Sequence, residues 1–272
     1  MKSKVILCSA LMLIVVLSAY FCLRGDFKVK VIDNGQSVEI VKYRGSKKEV
    51  QIPSHIKNLP VTVIGYELRN QWLNDSKFIY PVGALQRKQL TSANIPDSVM
   101  VIGDRAFMSN QLASVLIPSG VTAIGEEAFA ENHLISVTIP DSVRTIGQRA
   151  FYKNQLTSVV ISNSVKTIEK RVFYENQLTS VTIPDSVRTI GTKAFYKNQL
   201  TSVVISPSVI AIGEEAFRYN QITSITIGDN VTLGNGKYRA FYNGFDDFYW
   251  KNGSKGGSYI YMNGWRIQQS EW

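Results

Sequence analysis

The chain repeats itself every 22 residues, and this period limits the fold more than any other property. Phe107, Phe129, Phe151, Phe173, Phe195 and Phe217 keep the step, as do Asn110, Asn132, Asn154, Asn176, Asn198 and Asn220. Six full units run from Leu90 to Gln221, and a seventh begins and breaks off by residue 231. In the unit 178–199, LTSVTIPDSVRTIGTKAFYKNQ, apolar Leu178, Val181 and Ile183 with polar Thr182 between the last two read as a short strand. Pro184 ends it, because proline cannot donate a ladder hydrogen bond. Val187, Ile190, Ala194 and Phe195 carry the apolar side back round the turn. No part of the unit is long enough for a crossover helix, so each unit is one narrow coil. A single coil cannot bury these side chains; stacked coils can, with each apolar position lying on its copy in the next. Units 134–155 and 178–199 agree at 19 of 22 positions, and each is followed by LTSVV, so a two-coil block has been duplicated. The doubled phrase is scaffold rather than a catalytic motif.

The order L-T-S-V-T-I-P-D-S-V-R-T-I-G-T-K-A-F-Y-K-N resembles a leucine-rich repeat, and more narrowly the BspA-like or treponemal class. The resemblance covers residues 90–231, and residues 37–65 resemble a first coil stretched by an insertion. Residues 66–89 fit poorly. Glu169 stands where other units carry Gly, which puts the turn of the unit 156–177 in question and not the fold. The resemblance implies a solenoid of β-rich right-handed coils with a parallel strand face and short irregular, 3-10 or helical return segments. An open stack needs covers at both ends. Residues 26–89 supply a β hairpin around Asn34-Gly35 and degenerate first coils. Residues 232–272 read as a C-terminal β cap of three aromatic-rich strands around Asn252-Gly253 and Asn263-Gly264.

At the other extreme, Lys2 and Lys4 precede an apolar run from Val5 to Leu23, followed by Arg24. Residues 1–25 therefore read as an export signal. The run is long enough to span a bilayer, so residues 5–23 serve equally as an N-terminal membrane anchor. Cys22 is placed for lipid attachment, although Phe21 stands where such signals carry a small residue. Both cysteines lie in this segment, so the exported body has neither disulfide nor thiol chemistry. The net charge of +9 is concentrated at the N-terminal end: residues 1–89 hold 14 Lys and Arg against 6 Asp and Glu, whereas residues 90–221 hold 11 against 11. That distribution argues against nucleic acid as a partner.

No constellation of catalytic groups emerges. His55 and His133 are far apart, no metal-site spacing exists, and no cofactor motif is present. Glu126-Glu127 and Asp246-Asp247 read as solvated surface acids. The asparagine column reads as a structural ladder satisfying buried backbone groups of the turns. Two surface arrays remain as binding candidates. The strand face presents Ser136, Thr138, Ser158, Val160, Ser180, Thr182, Ser202 and Val204, with Leu116 and Thr226 extending the row. The return side presents Tyr152, Tyr174 and Tyr196 with Lys166, Lys170 and Arg171 among its basic residues. The expected function is that of a non-enzymatic, exported or surface protein that binds another protein or a surface polymer. The adhesin-like element follows from the family resemblance alone. Self-association into a structural component of the envelope is the alternative.

Overall fold

Every repeat coil carries a two-residue strand that the sequence reading did not place, and most also carry the expected one. The structure is a computed structural model that describes residues 25–73, 76–234, 239–241 and 244–268. It is a β-solenoid of about eight turns with parallel strands and little helix. The strand at the start of the unit pairs in parallel with its copy: Ser136–Thr138 with Ser158–Val160, and Ser202–Val204 with Ser224–Ile227. A second, two-residue strand forms the Val-x-x-Ile-Gly stretch. Val101–Ile102, Ala123–Ile124 and Thr145–Ile146 make one parallel run, and Thr167–Ile168, Thr189–Ile190, Ala211–Ile212 and Thr232–Leu233 make another. In this stretch Val143 and Ile146 point inward and are buried, while Arg144 and Thr145 between them are exposed. Residues 114–116 carry no strand, and Thr182 contributes only an isolated bridge to Val204.

Two ladders tie the coils together inside. The rings of Phe107, Phe129, Phe151, Phe173, Phe195 and Phe217 stack nearly parallel along the axis, all fully or almost fully buried. The asparagines sit beside them. Asn154 Oδ1 accepts the Leu134 N–H at 3.1 Å, and its Nδ2 donates to the carbonyls of Phe129 at 2.9 Å and Phe151 at 3.2 Å. One side chain thereby satisfies backbone groups of its own coil and of the coil before it, which the narrow turns leave away from water. Asn132 and Asn198 repeat the pattern.

Strand pairing is interrupted on both sides of the unit 156–177, while the return side stays joined by bonds such as Phe151 N–H to Val172 C=O at 3.0 Å. Thr145–Ile146 ends one parallel run and Thr167–Ile168 opens the next. Elsewhere neighbouring coils are joined by bonds such as Arg188 N–H to Lys166 C=O at 2.8 Å and Gly191 N–H to Ile168 C=O at 2.7 Å. Among the described residues these bonds have no counterpart between Arg144 and Lys166 or between Ile146 and Glu169. The cause is steric. A Cβ on Gly147 would lie 2.4 Å from the Glu126 amide nitrogen, and one on Gly191 would lie 2.7 Å from that of Lys170. Glu169 brings a Cβ to the equivalent place, and the two strands part there. The Phe151 and Phe173 centroids are accordingly 5.8 Å apart, against 5.0–5.5 Å along the rest of the stack. On the other sheet, Ser158–Val160 pairs back to Ser136–Thr138 and not forward.

At the N-terminal end, Phe27–Ile32 and Ser37–Tyr43 pair antiparallel through a turn at Asp33–Gly35, and Ser37–Tyr43 continues in parallel into Leu59–Ile64 and the coils. Residues 66–89, which fit the repeat poorly, contain a hairpin of Tyr66–Leu73 with Ser76–Gly83. The expected export signal or anchor and Cys22 lie outside the described residues. No described helix is long and apolar enough to cross a membrane.

The C-terminal end corrects the sequence reading in three ways. The seventh coil does not break off at 231: Thr232–Leu233 pairs with Ala211–Ile212, and Phe241 stacks on Phe217 at 5.0 Å. The first of the three expected strands is an α-helix, Phe245–Lys251. It closes the stack with Phe245, which meets Phe241, Tyr259 and Trp265 edge-on. The strands Gly257–Tyr261 and Trp265–Ile267 follow, the first pairing antiparallel with Ser224–Ile227. Finally, Asp246 is a buried carboxylate rather than a surface acid. It accepts the N–H groups of Ala240 at 2.7 Å and Phe241 at 3.0 Å, fixing the entry to the helix. Burial pushes its carboxyl above the ordinary value, against the opposing pull of those amides.

Candidate binding surfaces

On the strand face, Ser136, Thr138, Ser158, Val160, Ser180, Thr182, Ser202 and Val204 are all exposed, and alternate residues such as Val137, Val181 and Val203 are buried. The face carries more apolar surface than its small residues suggest. Leu116 is 79% exposed, Val160 59% and Val204 57%, separated by Thr138 and Thr182 on the intervening coils. At the far end Thr226 is hydrogen-bonded to Ser258 of the C-terminal cap at 3.0 Å, so the cap limits the open face to the coils before it.

The return side is assembled differently. Tyr152, Tyr174 and Tyr196 form a half-buried stack with centroids 5.2 and 4.9 Å apart, which Tyr219 extends edge-on at 5.0 Å. Burial raises the Tyr174 and Tyr196 hydroxyls above the ordinary phenol value. Most cations of this side are engaged within the protein. Glu175 meets Lys197 at 2.9 Å and Lys153 at 3.8 Å; Glu215 meets Lys193 at 2.8 Å and also pairs with Arg218. Burial alone would raise the Glu215 carboxyl, but the hydrogen bonds from Lys193 and Arg218 hold it below its ordinary value. Arg171 lies over the Tyr174 ring at 5.9 Å. Lys166 and Lys170 do not join it there: they flank the Thr167–Ile168 strand and are exposed.

A third surface escaped the sequence reading. A groove of about 590 Å³ runs across the Val-x-x-Ile-Gly strands of the N-terminal coils, floored by residues such as Val63, Val101 and Ala123. Four carboxylates line it, Glu39, Asp104, Glu126 and Glu169, with no basic side chain. Two are committed: Asp104 Oδ1 accepts the Glu126 N–H at 2.8 Å, and Glu126 meets Arg149 at 3.3 Å. Burial raises the Glu39 carboxyl, with Lys30 opposing. The signal in the sequence was an acidic residue after Gly in two successive units, Asp104 and Glu126. Among the described residues no group of three or more His, Cys, Asp or Glu is placed to hold a metal ion.

A family model described as the BspA type leucine rich repeat region, in six copies, matches residues 81–199 and 122–245, together more than half of the chain. No curated protein matches the sequence. Among solved structures, the pneumococcal vaccine antigen PcpA is 15% identical with a TM-score of 0.53, over 79% of this chain and 65% of that one. The Treponema pallidum leucine rich repeat protein TpLRR is 19% identical with a TM-score of 0.46, over 64% of this chain and 87% of that one. A leucine rich cell surface protein from Faecalibacterium prausnitzii A2-165 is 23% identical with a TM-score of 0.48, over 82% of this chain and 74% of that one. At these identities the likeness is one of fold.

Proposed function

Because the chain belongs to the BspA-type leucine-rich-repeat family, we propose that it is a non-enzymatic, exported protein held at the cell surface, where its strand face binds another protein. The leader of residues 1–25 supports export. The observation that carries the choice of face is the contrast in internal commitment. Lys153, Lys193 and Lys197 are occupied by Glu175 and Glu215, whereas Leu116, Val160 and Val204 lie bare on a regular surface. Burying such apolar area drives association, at roughly 25 cal/mol per Å² before the costs of binding.

The two faces differ in salt response, because exposed charges are screened within roughly 8–10 Å at ordinary ionic strength. The test uses the full chain on immobilised host-matrix and envelope extracts freed of polysaccharide, across a salt series. Thr138→Lys/Thr182→Lys is expected to abolish binding, while Lys170→Glu/Arg171→Glu keeps it and salt changes it little. Normal binding by the first pair and loss by the second would place the protein site on the basic side.

A further inference from the structure

We propose that the tyrosine edge around Arg171 is a second binding site, for the sulfate or carboxylate groups of an acidic polysaccharide. The position before Ala-Phe, or Val-Phe in one unit, reads Arg105, Glu127, Arg149, Arg171, Lys193 and Glu215 through successive coils. Opposite charges meet where they alternate: Arg105 with Glu127 at 2.7 Å, Arg149 with Glu127 at 3.4 Å, Lys193 with Glu215 at 2.8 Å. Alternation fails in the middle. Arg171 has a cation on both flanking coils, and both of those use carboxylates on the side away from it. Its Nε is buried with no acceptor among the described residues, and its guanidinium has the Tyr174 ring beside it at 5.9 Å. Among the described residues Arg171 has no carboxylate partner, unlike Arg149 and Lys193 on the flanking coils, so its charge is left for an outside oxyanion. The planar fork of arginine suits a two-oxygen acceptor.

The surroundings choose among anions. Lys153 lies 5.2 Å from the Tyr152 centroid, and Lys193 and Lys197 lie 5.3 and 6.0 Å from that of Tyr196, so four cations border one continuous ring stack. Tyr174 and Tyr196 cover each other's faces, 4.9 Å apart and 7° from parallel. Free aromatic faces are what single-stranded nucleic acid uses, and this edge withholds them. An extended acidic peptide returns a side chain to one face about every 6.7 Å, out of step with rings 5.2 and 4.9 Å apart. A polysaccharide advances by about one coil per sugar, and its hydroxyls and acid groups can meet phenol edges and cations coil after coil. Glu175 opposes such a ligand by holding Lys153 and Lys197.

The site is separate from the strand face, so failure of either assignment leaves the other standing. The experiment measures binding of the full-length chain, purified in mild detergent, to heparin at about 0.15 M salt. Neutral dextran, single-stranded oligothymidylate and polyglutamate are the comparisons, and thermal melting verifies that each variant is folded. Heparin is expected to bind in preference to all three. Arg171→Gln should weaken it about tenfold, as losing one charge-assisted contact does. Glu175→Gln should strengthen it several-fold by releasing two lysines, and Arg188→Gln, away from the ring stack, should leave it within about twofold. Gain in Glu175→Gln keeps the test decisive even if Arg171→Gln melts early. Heparin bound no better than dextran, an unaffected folded Arg171→Gln, or equal binding of oligothymidylate or polyglutamate would each overturn the proposal.

Discussion

Phe173→Ala lowers the unfolding free energy by about 3–5 kcal/mol, the range for emptying an aromatic core position. Phe173 is fully buried between Phe151 at 5.8 Å and Phe195 at 5.4 Å. Its removal leaves a gap that neither neighbour can fill without breaking its own stack. The gap also falls beside the interrupted strand pairing at Glu169. In an array held by nearest-neighbour contacts the damage stays local. Amide hydrogen exchange should therefore rise most in the units between residues 134 and 199, with the N-terminal hairpin and the C-terminal cap close to wild type. A uniform rise across the whole chain would contradict a one-dimensional stack.

Asn154→Ala should also be clearly destabilising although it removes only a small polar group. The substitution strands the buried Leu134 N–H, while the carbonyls of Phe129 and Phe151 each lose one of two donors and keep Asn132 at 3.1 Å and Asn176 at 3.0 Å. One unsatisfied buried group costs about 1–3 kcal/mol, and a loss in that range is expected in denaturant unfolding. Gln199, on the exposed surface of a later turn, is the control: Gln199→Ala should change stability by less than about 0.5 kcal/mol. A loss of under 1 kcal/mol for Asn154→Ala would mean that water replaces the side chain and that the ladder is not a structural necessity.

The parts of the fold legible in the sequence are those that recur at a fixed step. The phenylalanine and asparagine columns could be read because stacking forces the same residue type onto the same place in every coil. The second strand of each coil could not be read, because Thr145–Ile146 and its copies span two residues and show no alternation. Phe241 belongs to the phenylalanine stack but lies 24 residues after Phe217 rather than 22, and a fixed step passes over it. The segment Phe245–Lys251 is aromatic enough to pass for a strand. It is helical because Phe245 and Tyr249, one turn apart, close the core together. Asp246 looked like half of a surface acid pair because its partners, the amides of Ala240 and Phe241, are backbone groups.

Of the candidate surfaces, the strand face was legible from alternation, but its balance of apolar exposure was not, since Leu116, Val160 and Val204 alternate with threonine. The basic side was visible as charge. Which cations are free depends on pairing between coils, and only Glu175 and Glu215 in place reveal that most are engaged. The acidic groove needed the fold outright, because Glu39 and Glu169 are 130 positions apart in the chain and meet only through the stack.

Both cysteines lie within residues 1–25, so Thr182→Cys places a single thiol on the rest of the chain, at the centre of the strand face. Labelling of this variant on intact cells with a membrane-impermeant maleimide, against the wild-type chain for any signal from Cys8 and Cys22, tests surface display and face together. Thr182→Cys is expected to be labelled without lysis, and a binding protein fraction from the matrix or envelope extract is expected to block the labelling. A thiol that reacts only after the cells are broken, or that reacts equally with the partner bound, would contradict this expectation.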